Sequence, residues 1–103
     1  MTTRINTTTA YAYATDTVGS SAKSIESGSL FTAEQLATAE WARVTCLTNA
    51  VCFTYHGSDP TANSHYLTVG AEVQIVGNAN IKNLRFIRAG ASDGRVTITL
   101  EQY

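Results

Sequence analysis

Hydrophobic and polar residues alternate over short stretches through most of this chain, with turn-forming residues between the stretches, as at residues 57–60 and 77–80. The last stretch shows the pattern most plainly, because Val96, Ile98 and Leu100 take every second position and predict a strand that directs them inward. Similar β-branched and aromatic stretches predict a weak strand over 23–29 and strands over 42–48, 51–56, 64–69, 72–76, 83–89 and 95–102. Strands of this length and spacing predict an all-β fold, a small β-sandwich or jelly-roll-like domain.

Residues 1–22 differ from the rest of the chain because they are rich in Thr, Ala and Ser and contain few apolar side chains. Tyr11 and Tyr13 alternate with Ala, which places both rings on one face of an extended strand. We expect residues 1–22 to form an extended N-terminal arm attached to a β-sandwich domain of residues 23–103. Such an arm suits strand addition on a neighbouring subunit, with a frayed, disordered terminus as the alternative. The predicted interface residues are Ile5, Tyr11, Tyr13 and Val18.

One short helix is predicted before the main run of strands. Thr32 followed by Gln35 fits a capping box with Thr32 as the N-cap residue. Phe31 and Leu36 occupy the two positions of a hydrophobic staple around that cap. The segment that follows is rich in Ala, so we expect a helix of about two turns over residues 33–40.

The two cysteines flank a candidate two-residue turn at residues 49–50, which predicts a β-hairpin between the strands on either side. In that register Cys46 lies opposite Phe53 and both face the core, whereas Cys52 and Thr54 face outward. Because thiols on opposite faces of a hairpin cannot meet, we expect free cysteines. A three-residue turn is the alternative, and it would bring the two cysteines opposite each other and permit a disulfide.

The composition gives the chain a nearly neutral surface. Its 103 residues include seven Lys or Arg and eight Asp or Glu, for a net charge of −1, and only 15% of residues are charged. This length predicts one domain. The balance of charge argues against a nucleic-acid partner, which requires a clustered basic face. No apolar stretch reaches the roughly 18 residues of a membrane span, and residues 1–18 lack the apolar core of a secretory signal, so we expect no membrane partner and no export.

The residues that catalysis or metal binding would need are sparse. His56 and His65 are the only histidines, and neither has Cys, Asp or Glu at the i+2 or i+4 spacing of paired ligands, so no metal site is expected. Ser58 and Asp59 resemble part of a hydrolase triad in residue type only, because the chain has no G-x-S-x-G turn. It has no phosphate-binding loop either. We therefore expect neither enzyme activity nor a cofactor.

A small basic cluster lies near the C-terminal end of the chain. Lys82, Arg85 and Arg88 lie within seven residues of one another, and Asp93 and Glu101 follow in the next predicted strand and turn. Opposite charges on neighbouring strands stabilise a sheet. We therefore expect cross-strand ion pairs here in preference to an anion site.

Three segments of the chain form a pattern that is recognisable as a whole. They are residues 50–62, AVCFTYHGSDPTA, residues 64–71, SHYLTVGA, and residues 84–89, LRFIRA. The pattern resembles that of a group of small proteins from tailed bacteriophages and prophages. His56 stands where the group has Asp, and Ser64 stands where it has Gly, which affects the local turns and not the fold.

The resemblance implies a non-enzymatic virion structural protein. It points to a capsid decoration (cement) protein that binds the outer surface of the head as a homo-oligomer, a trimer or a dimer. Its partners would be copies of itself and the major capsid protein or other virion proteins, and it would be made in the host cytoplasm. A neck, tail or head-fibre component is the alternative within the class. A carbohydrate-binding module, which needs an aromatic platform, is the alternative from another class.

Overall fold

The computed structural model describes residues 8–26, 30–61 and 63–103 of the chain. Most of the regular structure of these residues is β. The strands are β1 (Thr9–Val18), β2 (Lys23–Ser24), β3 (Trp41–Thr48), β4 (Val51–Thr54), β5 (His65–Leu67), β6 (Glu72–Val76), β7 (Arg85–Arg88) and β8 (Gly94–Gln102). The helices are α1 (Ala33–Thr38) and α2 (Asn78–Lys82).

The strands form two four-stranded sheets. The first has the order β1-β8-β3-β6 and the second has the order β2-β7-β4-β5, and all the pairings within them are antiparallel. Buried side chains of both sheets belong to one hydrophobic core, including Val44 and Ile98 from the first sheet and Val51 and Phe86 from the second. The prediction of an all-β fold is therefore confirmed for the described residues.

Strand β8 is the centre of the first sheet, where it lies between β1 and β3. Val96, Ile98 and Leu100 are fully buried, as the alternating pattern predicted. Alternate residues of a strand point to opposite faces, so Thr97 and Thr99 lie on the outer face of this sheet. Burying each of the three aliphatic side chains contributes about 1.5–3 kcal/mol, which makes β8 a main source of stability.

The connection between β3 and β4 crosses from the first sheet to the second, so the hairpin predicted at residues 49–50 is wrong. β3 pairs with β6 and β8, whereas β4 pairs with β5 and β7. The alternation of apolar residues in β3 and β4 fits a hairpin within one sheet and a crossing between two sheets equally well. Strands that face each other across a core bury the same side chains as strands paired side by side. Asn49 makes the crossing with a φ of 52°, a left-handed conformation that Asn tolerates.

The crossing packs tightly against the start of β8. A Cβ atom at Gly94 would lie 2.6 Å from Cγ1 of Val51 and 2.7 Å from the carbonyl oxygen of Asn49. Both distances are shorter than real contacts of a Cβ atom. The side-chain amide of Asn49 also donates to the carbonyl oxygen of Asp93 at 3.0 Å. Position 94 therefore needs glycine because the crossing backbone passes directly over it.

Strand β4 is buried on both faces, which corrects the predicted exposure of Cys52 and Thr54. Cys46 and Cys52 are both fully buried, and neither forms a disulfide. Thr54 is 5% exposed, and its hydroxyl donates to the carbonyl oxygen of Ser58 at 2.6 Å. The prediction of free cysteines is confirmed, although the register that led to it is wrong. Burial raises the pKa of each thiol above its ordinary value.

Helix α1 begins with the capping box that the sequence predicted. The hydroxyl of Thr32 accepts from the backbone amide of Gln35 at 3.1 Å, and the side chain of Gln35 accepts from the backbone amide of Thr32 at 2.9 Å. Phe31 and Leu36, the predicted staple residues, are both buried. The helix ends at Thr38, within the predicted range.

Helix α2 replaces the turn predicted at residues 77–80. It buries Ile81, and it is joined to α1 through Asn78, whose side-chain amide donates to the carbonyl oxygens of Leu36 and Ala39 at 2.8 and 2.9 Å. These bonds satisfy carbonyl groups that the end of α1 leaves without helical partners. A helix of five residues is too short to be stable by itself or to be predicted from the sequence pattern, so α2 is stabilised by its contact with α1.

Residues 9–18 belong to the core sheet and not to a separate arm. Strand β1 pairs with β8 of the same chain from Thr9, opposite Gln102, to Val18, opposite Gly94. The division between an arm of residues 1–22 and a domain of residues 23–103 is therefore wrong for this strand. The sequence misled because the inward side chains of β1 include small alanines, which pack against the core without a strong hydrophobic pattern.

Candidate interaction surfaces

The predicted interface residues have different environments. Val18 is fully buried and is part of the hydrophobic core. Tyr11 is half-buried and packs against that core, whereas Tyr13 is 72% exposed. Ile5 lies outside the described residues. Of the three that are described, only Tyr13 is placed to meet a partner.

A β-bulge separates the two tyrosines of β1. The register shifts between Ala10 and Ala12, so Tyr11 is the extra residue. A bulge redirects its side chain, and the hydroxyl of Tyr11 donates to the carbonyl oxygen of Gln35 in α1. The prediction that both rings lie on one face is therefore wrong. Tyr11 attaches the edge strand to the helix.

The Tyr13 surface is a shallow groove of about 420 Å³ beside the outer edge of β1, which pairs only with β8 among the described residues. The only charged residue of β1 is Asp16, and its carboxylate lies 2.8 Å from the ammonium group of Lys23. Natural proteins commonly protect a free strand edge with charge. The edge of β1 has almost no charge available for this protection, because the carboxylate of Asp16 is paired with Lys23 of the same chain. The groove is lined by Ala10, Tyr11, Ala12, Tyr13 and Thr99.

Threonines continue this neutral surface across the first sheet. Thr15 of β1 lies opposite Thr97 of β8, which lies opposite Thr45 of β3. In the next row Tyr13 lies opposite Thr99, which lies opposite Arg43. These two rows are therefore uncharged between β1 and β8, whereas the outer face is charged at Arg95 of β8, opposite Thr17 of β1, and around Arg43.

Charged residues of the first sheet form a connected network around the buried carboxylate of Glu101. Glu101 is 5% exposed, and it accepts from the hydroxyl of Thr8 at 2.8 Å and from Nε of Arg43. Arg43 also lies 3.3 Å from the carboxylate of Glu72. The bond from Thr8, together with Arg43, lowers the pKa of Glu101, and the bond to Glu101 raises the pKa of Arg43. The network joins β8, β3 and β6 and reaches Thr8, just before β1.

A second surface opens between the second sheet and the outer edge of β6, a strand that pairs only with β3 in the part of the chain that the structure describes. The rings of Phe53, Tyr55 and His65 form one wall of this aromatic cleft, with centroids 5.3 Å apart for Phe53 and His65 and 5.6 Å apart for Tyr55 and His65. The cleft has a volume of about 390 Å³. Its other lining residues are Val73, Gln74, Ile75, Val76 and Asn80, and none of the eight is Asp, Glu, Lys or Arg. Phe53 and Tyr55 are two residues apart in the sequence. That spacing is the signal from which this wall could have been predicted, and no site was predicted there.

The basic cluster is divided among separate ion pairs. Arg88 lies 2.9 Å from Asp93, as predicted, but Arg85 lies 2.7 Å from Asp59. Glu101 pairs with Arg43, so its predicted pairing with the cluster is wrong. Sequence proximity misplaced Glu101, because its position at the far end of β8 brings it beside the start of β3.

Three of the residues considered for chemistry make structural contacts. Asp59 binds Arg85, the backbone of Ser58 accepts from Thr54, and the ring of His65 stacks in the aromatic cleft. Among the described residues, no three His, Cys, Asp or Glu side chains lie together as metal ligands would. The described helices are also all too short or too polar to cross a membrane. No family model, curated protein or solved structure matches this chain.

Proposed function

We propose that this chain is a non-enzymatic structural protein of a tailed-phage virion and decorates the outer surface of the head as a homo-oligomer. The observation that carries the proposal is the Tyr13 surface, where an exposed ring lies beside a long, nearly uncharged strand edge. A free edge of this kind pairs readily with another chain, and exposed tyrosines are frequent anchors of interfaces.

The fold supports the proposal in a second way. The strand orders β1-β8-β3-β6 and β2-β7-β4-β5 place each strand of the first half of the chain next to one of the second half. We assign this arrangement to an eight-stranded jelly-roll sandwich, with α1 and α2 as connections between strands. The jelly roll is a frequent fold of viral capsid proteins, although it also occurs in lectins and other classes.

The uncharged rows around Tyr13 and Thr15 on the outer face of the first sheet suit close packing on another protein surface. The threonine rows described above cost less to desolvate than charged side chains would. In this proposal the edge of β1 binds a second copy of the chain in a dimer or trimer. The threonine face then binds the major capsid protein or another virion protein.

The test compares two exposed tyrosines on different sheets. Tyr13→Ser should weaken oligomerisation or particle binding by about ten-fold or more. Tyr66→Ser, at a ring that is 64% exposed on the second sheet, is the matched control and should leave both unchanged. Native mass spectrometry gives the oligomeric state, and co-sedimentation with purified heads gives the affinity. Equal behaviour of the two variants would contradict the proposed interface.

Copy number separates the head from the other virion positions. A decoration protein is present in hundreds of copies per particle, whereas a neck, tail or head-fibre component is present in tens or fewer, so quantitative mass spectrometry of purified particles distinguishes them. The carbohydrate-binding alternative needs several rings on one platform. Tyr13 and Tyr66 lie on different sheets, so the only grouped rings described above are those of the aromatic cleft. Binding on a glycan array that is lost in Tyr55→Ala would favour this alternative.

A further inference from the structure

We propose that the aromatic cleft binds an extended, uncharged peptide segment of another protein, which adds a fifth strand to the first sheet along β6. This site is distinct from the Tyr13 surface, because β1 and β6 are the two opposite edges of that sheet. It does not depend on the proposed function, since a β6 site serves any binding module.

The register of β3 and β6 shows which backbone groups of β6 face the cleft. The amide of Gly77 donates to the carbonyl oxygen of Glu40, and the amide of Cys46 donates to the carbonyl oxygen of Ala71. In an antiparallel pair, bonded positions alternate with positions that point away from the partner. Positions 73 and 75 therefore bond to β3, and the backbone groups of Glu72, Gln74 and Val76 point to the free edge.

One of these groups already has a partner, which marks the end of the available edge. The side-chain amide of Asn80 donates to the carbonyl oxygen of Val76 at 2.9 Å. The amides of residues 72, 74 and 76 and the carbonyls of residues 72 and 74 remain directed outward. An added strand would satisfy them with main-chain hydrogen bonds, as in other cases of strand addition.

The aromatic wall determines which side chains such a strand carries. An added strand points every second side chain towards the core side of the sheet, where the rings of Phe53, Tyr55 and His65 line the cleft. Tyr55 is 39% exposed and so offers part of its surface to a bound group. The cleft has no Asp, Glu, Lys or Arg in its lining, and burying an unpaired charge there would be costly. The partner is therefore an extended segment with apolar, uncharged side chains at the alternate positions that face the cleft.

The first experiment uses synthetic peptides on the intact protein. The probe is an acetylated and amidated hexapeptide that alternates Val and Thr. Two further peptides carry N-methyl groups on every second residue, one on the Val positions and one on the Thr positions. Only one of these sets faces β6, so one methylated peptide should bind like the parent and the other about ten-fold more weakly or worse. Equal binding of both, or no binding of the parent, would overturn the proposal.

The second experiment uses variants of the edge. The amide of Gln74 points away from β3, so Gln74→Pro removes a donor to the added strand while it preserves the β3–β6 ladder. Gln74→Ala keeps the amide and is the matched control. We expect about ten-fold weaker peptide binding for the Pro variant only, and slower hydrogen exchange at the Gln74 amide of the wild type on binding. Circular dichroism checks folding, and if the Pro variant fails to fold, the methylated peptides and the exchange measurement on the wild type decide.

Other occupants give different results in the same experiments. A saccharide held by side chains would bind Gln74→Pro and lose affinity for Tyr55→Ala without any change in Gln74 exchange. A second copy of the chain on β6 would show as a smaller oligomer of Gln74→Pro in the absence of peptide. Either result would overturn the assignment of a peptide strand to this cleft.

Discussion

Arg43 of β3 and Glu101 of β8 lie diagonally across the two central strands of the first sheet, and Nε of Arg43 donates to a carboxylate that is almost fully buried. The hydroxyl of Thr8 donates to the same carboxylate at 2.8 Å. The carboxylate therefore ties Thr8, just before β1, to the two central strands, in addition to the β1–β8 ladder. Several of the consequences of this fold can be measured directly.

Stability should fall in acid because of Glu101. Its pKa is lowered in the folded protein, first by the bond from Thr8 and then by Arg43. A group of this kind stabilises fully above its ordinary pKa of 4.5 and loses the contribution as pH falls through the lower folded-state value. Glu101→Gln should lower the denaturation midpoint at neutral pH, and the difference from the wild type should shrink below pH 4.5. Glu72→Gln, at a half-exposed carboxylate, is the control and should change little. A pH-independent difference for Glu101→Gln would contradict this account.

Gly94→Ala should destabilise the protein by about 1–3 kcal/mol, because the new methyl group would collide with Val51 and with the backbone of Asn49. Gly90→Ala is a matched control, since no atom lies within 4 Å of its Cβ position, and it should change stability by less than about 0.5 kcal/mol. Urea denaturation measures both. An equal loss of stability in Gly94→Ala and Gly90→Ala would mean that the backbone crossing between the sheets does not pass as close to Gly94 as described.

Both cysteines should resist labelling in the native protein. Cys46 and Cys52 are fully buried, and burial raises the pKa of each thiol, which reduces the reactive thiolate. A thiol reagent without denaturant should modify neither residue faster than the protein unfolds, whereas both should react in urea. Rapid native labelling of Cys52 alone would restore the hairpin register and contradict the observed sheets.

The cap of α1 should contribute measurably to stability. Thr32→Ala removes the side-chain acceptor of the capping box and should cost about 1 kcal/mol. Thr32→Ser keeps the hydroxyl oxygen and should cost much less. The denaturation midpoints of the two variants provide the comparison, and an unchanged midpoint for Thr32→Ala would show that the cap contributes nothing.

Deletion of residues 2–18 should prevent cooperative folding. The deletion removes β1 and the buried Val18, and it uncovers one edge of β8, the central strand. Thermal denaturation followed by circular dichroism should show no sharp transition. A free arm would instead leave a truncated protein with the midpoint of the full chain, and that result would contradict the placement of β1.

The sequence determined the features that depend on neighbouring residues. The alternation of Val96, Ile98 and Leu100 fixed both the strand β8 and its buried face, because a strand of period two has only two faces. Thr32 and Gln35 fixed the start of α1, because a capping box closes within four residues. The bounds of β6 were also predicted as observed.

The tertiary structure decided which strands pair and which strands are buried on both faces. Alternation states that a side chain points inward but not which strand lies beside it. For that reason the sequence could not place β3 and β4 in different sheets, bury Cys52 on the second face of β4, or attach β1 to β8. The aromatic cleft also could not be predicted from the sequence, since it exists only where β6 of one sheet meets Phe53, Tyr55 and His65 of the other. Contacts between residues so distant in the chain arise from packing around the shared core, which no local pattern records.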